Sequence, residues 1–327
     1  MRLQYVLKRA GFAVGSIFVV ANLLFFLFRL TPGDPSTVVA DPTMPAEARQ
    51  EILEQHGLTE PLYVQYVTYM QNLLTGDLGT SFQRNEPVLS ILLDTTLNTI
   101  VLMLTSVLLA FGIGITIGAF LSWRRNTLID TIGIGTIILF YAAPVFWTGM
   151  VGIMIFSFHL GWVPSGGMRS AGYSSDMLLD RYLSMDFLRH LALPLLVTTL
   201  YWLTAPTFIM RNNMIDVLGE DFIKMGRAQG LSERSLIYRH AARNSLLPVV
   251  HYGAIAVGFA FGGSVVIETV FSWPGVGRLM WQAVLQEDYP LAQGAFLMLA
   301  TVIITLNFLV DMISVIIDPR TETETVT

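Results

Sequence analysis

Cysteine is absent from all 327 residues. That excludes disulfides, thiolate metal sites and a cysteine nucleophile, and in a membrane protein it says nothing about compartment. Charge is scarce: 13% of residues are Asp, Glu, Lys or Arg, against 53% hydrophobic. With a mean hydropathy of +0.59, the chain is too apolar for a soluble globular protein. Catalytic signatures are missing as well. There is no G-x-x-x-x-G-K-[ST] loop to cradle phosphates and no H-E-x-x-H zinc helix. His56, His159, His190, His240 and His251 are scattered without ligand spacing. Ser264 follows Gly262-Gly263, but no base is in view to activate it. The sequence therefore predicts no catalytic residue, no metal and no cofactor in this chain.

Long apolar runs are what it has. Each bilayer crossing needs about 20 such residues. Six runs qualify: Arg9–Phe28, Thr99–Trp123, Ile129–Phe158, Leu191–Met210, Leu247–Phe271 and Ala292–Ile317. The first is too long for the apolar core of a signal peptide, and Thr31-Pro32-Gly33-Asp34-Pro35 is no cleavage site. It reads as a retained anchor. Lys and Arg then set the orientation. Arg2, Lys8, Arg9, Arg124, Arg125, Arg211, Lys224, Arg227, Arg234, Arg239, Arg243 and Arg320 fall on one side. That side is expected to be cytoplasmic, with both termini on it. Asp34, Asp41, Glu47, Glu51, Glu54, Glu60, Asp77 and Glu86 gather on the other. The net charge of −5 therefore hides a basic inner face, which is a topology signal and not a nucleic-acid site.

The domains follow: 1–30 as N-terminus and first span, 31–96 as a small external helical subdomain, 97–318 as a five-helix core, and 319–327 as a cytoplasmic tail. In the external segment one helix is expected from Pro45 to Gly57 and another from Pro61. Gly76-Asp77-Leu78-Gly79 should turn. Ala110, Gly114 and Gly118 recur every fourth residue, as do Ala254, Gly258 and Gly262. Such spacing suits close helix packing. Pro144 and Pro206 should kink their spans. Asp311 is a carboxylate well inside the last span; a structural hydrogen bond, with Asn307 as partner, is the favoured reading over a proton relay.

The polar connection 211–247 is far longer than a simple link between helices requires. It holds two short helical patterns joined at Gly230-Leu231-Ser232. Glu220 and Asp221 suit the N-terminus of the first. Gly230 suits its left-handed end. Ser232 can cap the second, with Leu231 stapling onto Leu236. An ordered inner platform of this kind is what a membrane subunit needs to be moved by a soluble partner.

Several blocks, weak singly and specific in their order, carry a resemblance. They include Leu30-Thr31-Pro32-Gly33-Asp34-Pro35, Gly76-Asp77-Leu78-Gly79-Thr80-Ser81 and Pro144-Val145-Phe146-Trp147. Others are Gly161-Trp162-Val163-Pro164-Ser165-Gly166-Gly167 and Glu268-Thr269-Val270-Phe271-Ser272-Trp273-Pro274-Gly275-Val276-Gly277. Over nearly its whole length the chain resembles the B-type permease subunit of ABC importers of the dipeptide/oligopeptide/nickel family. The resemblance implies an all-α membrane protein with the six-helix type I importer permease fold, an external subdomain between helices 1 and 2, and a cytoplasmic coupling-helix loop. The platform then resembles the EAA loop that docks on the ATPase, with Lys224-Met225-Gly226 where the broad motif has Glu-Ala-Ala, and Ala242-Arg243 where it has Leu-Pro.

The resemblance implies a coupling site of Asp221, Lys224, Met225, Gly226, Arg227, Ala228, Gly230, Leu231, Ser232, Arg239 and His240. It implies a sister permease, two cytoplasmic ATPases carrying ATP and magnesium, an external substrate-binding protein, and a plasma-membrane location among lipid. Short peptides are the expected cargo, with nickel chelates or another small solute as the alternative. Phe146, Phe259 and Ser264 are the pathway candidates, beside Phe140, Tyr141 and Phe261. A stand-alone secondary transporter is the reading from another class; it would tend to show inverted repeats and intramembrane charges.

Overall fold

The computed structural model describes residues 3–30, 46–55, 57–172, 178–261 and 264–317. Within them the chain is almost wholly helical, and it divides into two compact units. The expected Thr31–Pro35 block, His56, Gly262 and the tail 319–327 lie outside the described residues, as does the side chain of Phe261.

The first unit takes residues up to Asn98 and from Gly275 onward. Its long helices are α1 (Leu3–Leu30) and, at the far end of the chain, Tyr289–Ile317. The two pack antiparallel: Phe28 meets Tyr289 and Phe296, while Arg9 Nη1 lies 2.9 Å from Asp311 Oδ2. Asp311 therefore pairs with an arginine on α1 and not with Asn307. Two short helices, α2 (Ala46–Gln55) and α3 (Leu62–Thr75), form the described part of the segment expected to be external. Gly76 ends α3 at φ +79, as its sequence position suggests. Asp288 is fully buried and accepts from Ser81 Oγ and from the amides of Phe82, Gln83 and Leu291. It thereby ties the turn before the next helix to the start of Tyr289–Ile317.

That next helix, α4 (Val88–Trp123), begins before the expected Thr99. Val88, Ile91 and Leu92 explain why. They recur at helical spacing and are buried against Val276, Leu279 and Leu291, so the expected external segment 31–96 passes into helix at Val88.

The second unit is residues 99–274. Here α5 (Leu128–Ala142) and α6 (Val145–Gly152, continued as a π-helix over Ile153–His159) meet at 95°. The expected single span Ile129–Phe158 is thus bent, with Pro144 at the corner. After α7 (Leu178–Leu183) come α8 (Met185–Trp202) and α9 (Thr204–Leu218), one 34-residue apolar run with a local break at Leu203. Because α9 runs to Leu218, Arg211 is helical and the platform begins near Glu220. Four described helices are individually long and apolar enough to cross a membrane, and the bent pair is a fifth if its two helices form one broken span. The remaining expected span, Leu247–Phe271, is interrupted: α12 (Ala242–Phe261) and α13 (Val265–Val270) are separate helices. In the first unit α14 (Val276–Leu285) precedes α15 (Tyr289–Ile317).

The small residues of α4 do what their spacing suggests. A Cβ on Gly118 would lie 2.5 Å from the Thr207 carbonyl oxygen, and one on Gly114 would lie 2.9 Å from Pro206 Cγ. Backbone meets backbone there, which only glycine permits. On α12 Gly258 of the expected stripe is buried and Ala254 half-buried, but the packed positions also include residues off that spacing: Gly253 abuts Phe111, and Ala256 and Ala260 are buried with Met103 and Val107. Near the opposite end of the unit, buried Glu268 accepts a 2.8 Å bond from Thr99 Oγ1.

Candidate functional site

The platform is built from α10 (Asp221–Ala228) and α11 (Glu233–Ser235), which runs on through a π-helical stretch, Leu236–Ala241, into α12. α10 is amphipathic. Ile223 is fully buried with Met210, Met214, Ile237 and Ala241, so the platform is seated on the base of α9 and α12. Asp221 stands in its first turn and Arg227 in its last, both favourable to the helix dipole.

The elbow closes as the sequence predicts. Gly230 sits at φ +81. Its N–H donates to the Arg227 carbonyl at 3.1 Å, and the Leu231 N–H reaches the Gly226 carbonyl at 3.1 Å. These two bonds are the Schellman pattern. Ser232 Oγ then accepts from the Ser235 N–H at 3.3 Å. Across the bend, Arg227 Nε and Nη2 donate to the two oxygens of Glu233 at 2.7 and 3.2 Å. That guanidinium holds the Glu233 carboxyl below its ordinary range, first through the hydrogen bond and then through charge. A Cβ on Gly226 would lie 2.8 Å from Leu236 Cδ2 and 3.3 Å from Leu231 Cδ1. The two leucines converge over this glycine.

Of the expected coupling residues, Asp221, Lys224, Met225, Arg227, Ala228, Gly230, Leu231, Ser232 and Arg239 are exposed, and His240 is half-buried. Gly226 is buried and serves the fold of the elbow. Lys224 Nζ pairs with Asp221 at 2.8 Å. Two apolar side chains outside the expected set, Phe222 and Tyr238, face outward beside Met225 and Leu231. Phe222, Met225, Leu231 and Tyr238 are 40–62% exposed. Their helical spacing around the buried Ile223 and Leu236 was the signal available. An ordered surface of exposed aromatic and aliphatic side chains amid charges suits a groove on another protein.

A second missed element braces the platform. Arg211 Nε and Nη2 donate to Asp130 Oδ1 and Oδ2 at 2.9 and 2.7 Å. The pair is largely buried and joins α9 to the start of α5.

The pathway candidates are not brought together. Phe259 lines a cavity of about 540 Å³ with Tyr141. Phe146 is exposed elsewhere, and Ser264 caps α13 by accepting from Ile267 N–H. Among the described residues no group of three or more His, Asp or Glu is placed to hold a metal ion.

Comparison with known proteins agrees with this architecture. Residues 114–323 match the family described as binding-protein-dependent transport system inner membrane component, and residues 2–103 match the corresponding N-terminal family. An oligopeptide transport system permease of Bacillus subtilis is 34% identical, covering 97% of this chain and 99% of its own length. A di/tripeptide transport system permease of Pseudomonas aeruginosa is 37% identical, covering 97% and 98%. A chain of the MetNI methionine ABC transporter, solved in inward-facing conformations, superposes with a TM-score of 0.50 at 16% identity, over 69% of this chain and 95% of that one. That last likeness is one of fold. This multi-pass membrane chain belongs to the inner-membrane components of binding-protein-dependent transport systems.

Proposed function

We propose that this chain is a permease subunit of an ATP-driven importer of short peptides, forming half of the translocation pathway beside a sister permease. The observation that carries the reading is the platform: a capped, cross-braced elbow with Phe222, Met225, Leu231 and Tyr238 turned outward. A connection of this cost to solubility has a use only if another protein covers it. In this reading two cytoplasmic ATPases bind ATP and magnesium and dock on the platform, through Asp221, Lys224, Met225, Arg227, Ala228, Gly230, Leu231, Ser232, Arg239 and His240. An external binding protein delivers the cargo to the other face. The relatives named for oligopeptide and di/tripeptide transport support short peptides as that cargo. The basic connections support a cytoplasmic platform and cytoplasmic termini.

The test is reconstitution of the assembled complex in proteoliposomes with binding protein outside and ATP inside. Saturable, ATP-dependent dipeptide uptake is expected. Uptake of a nickel chelate with no peptide uptake would replace the cargo assignment. Uptake by this chain alone, without ATPase subunits, would replace the importer reading with a secondary transporter.

A further inference from the structure

From Leu62 to Thr75, α3 carries no charged residue. Its neighbour α2 holds Glu47, Glu51 and Glu54 within ten residues. A helix surrounded by water has no reason to shed every charge. The side chains of α3 fall into three faces. One packs on α1: the rings of Tyr66 and Tyr69 both meet Phe25, and Tyr66 Oη donates to Asn22 Oδ1 at 2.7 Å. A second face, with Gln65, Thr68 and Asn72, lines a cavity of about 620 Å³ that Glu54, Glu60 and Asp77 line as well. The third is apolar and uncovered. Tyr63, Val67 and Leu74 are 72, 49 and 89% exposed, and at 3.6 residues per turn they point within about 40° of one another.

Two long helices set the depth of α3. Its Met70 and Leu73 pack with Ala21 and Leu24 of α1 and Leu297 of α15. Ala21 lies twelve residues beyond Arg9, and Leu297 lies fourteen residues before Asp311. Arg9 and Asp311 are paired with each other. At 1.5 Å per residue, both helices place α3 about 20 Å from that pair. A hydrocarbon core about 30 Å thick then ends about 10 Å further on. Arg29, eight residues past Ala21, falls at that end. This is the depth of roughly 5–10 Å to which helices lying in a membrane surface bury their apolar side. Three tyrosines on one short helix suit the same zone.

The surroundings run from polar to apolar across α3. Its polar face opens on a cavity lined by acids. Its bare face continues the exposed flank of α1, where Leu23 and Phe26 are exposed and Phe26 stacks on Tyr66 at 6.0 Å. Charge on one side and uncovered hydrocarbon on the other is the gradient of a membrane surface. We propose that α3 is an interfacial helix seated in the outer leaflet, with Tyr63, Val67 and Leu74 against phospholipid chains, so that the segment expected to be external is pinned to the bilayer. The choice of the outer leaflet rests on the platform being cytoplasmic; the depth does not.

The test uses the absence of cysteine from this chain. Nitroxide spin labels go on Val67→Cys and Leu74→Cys on the bare face, on Thr68→Cys and Thr75→Cys on the polar side, and on Glu54→Cys of α2 as a control. The assembled complex is studied in phospholipid nanodiscs, with the signal of the unmutated complex subtracted. Power saturation compares collisions with oxygen, which concentrates in lipid, and with nickel ethylenediaminediacetate, which stays in water. Oxygen is expected to dominate at Val67→Cys and Leu74→Cys, and nickel at Thr68→Cys, Thr75→Cys and Glu54→Cys. Dominance of nickel at all five sites would overturn the proposal by placing α3 in water. Immobilised labels screened from both reagents at Val67→Cys and Leu74→Cys would overturn it by showing that protein, such as the sister permease, covers this face. Both faces of a nanodisc are open, so the outcome is the same whichever way the chain is oriented and whatever it transports. Failure of the orientation or of the cargo reading is therefore distinct from failure of this one.

Discussion

Gly230 has nothing within 4 Å of where a Cβ would stand, yet its φ is +81. The demand for glycine there is therefore conformational and not steric, and a β-branched residue meets it worst. Gly230→Val is expected to turn Leu231 and Ser232 away from their contact and cap positions, and a lost cap alone costs about 0.5–2 kcal/mol. The membrane helices hold by packing elsewhere, so the variant should reach the membrane and keep its sister permease. Copurification of the ATPases should fall, or ATP hydrolysis should lose its stimulation by loaded binding protein. Normal uptake at normal expression would show that the elbow is not the coupling element. Asp130 and Arg211 make the complementary case. Removing one partner of a buried pair costs about 3–5 kcal/mol, because the other charge is left stranded. Asp130→Ala should lower the Tm of the purified complex, and the double variant Asp130→Ala with Arg211→Ala should recover part of the loss. Equal Tm values for all three proteins would mean that the brace contributes nothing.

At the scale of helices, two glycines on α4 separate local propensity from packing. A Cβ on Gly118 would meet the Thr207 carbonyl oxygen at 2.5 Å, whereas one on Gly112 would meet nothing within 4 Å. Gly118→Ala should force α4 away from α9, at about 1–3 kcal/mol of overpacking. Gly112→Ala should be neutral or stabilising by up to about 1 kcal/mol through helix propensity. Thermal unfolding of the detergent-purified complex reads both, and equal shifts would contradict the packing. The sequence foretold the close approach of Gly114 and Gly118 because small-residue spacing is a one-dimensional pattern. It foretold the ends at Gly76, Gly230 and Ser232 for the same reason: caps are local chemistry. It did not reveal the 95° turn at Pro144, since proline marks where a helix yields and not by how much. Nor did it reveal Arg9 with Asp311 or Asp130 with Arg211, because pairs so far apart in sequence are joined only by the fold. The exposed Phe222 and Tyr238 were passed over because an apolar residue on a short helix reads first as core.

For the whole molecule the decisive question is which side of the membrane the platform faces, since an ATPase can reach it from one side only. Arg124 and Arg125, and then the six basic residues from Arg211 to Arg243, cluster in span ends and connections that are expected to share one side. Lys and Arg near span ends are retained on the cytoplasmic side. An even number of crossings must then separate these connections from one another, and an odd number must separate them from the external segment. The bent pair α5–α6 matters here: as one broken span it preserves that parity, whereas as a re-entrant loop it would invert everything after it. The cysteine-free sequence makes the test direct. Glu54→Cys and Arg234→Cys place single thiols on two exposed sites, one on α2 and one on α11. In intact cells a membrane-impermeant maleimide should label Glu54→Cys and spare Arg234→Cys until the membrane is permeabilised. Labelling of both from outside would show that α5–α6 does not cross, and would put the platform out of reach of any cytoplasmic ATPase.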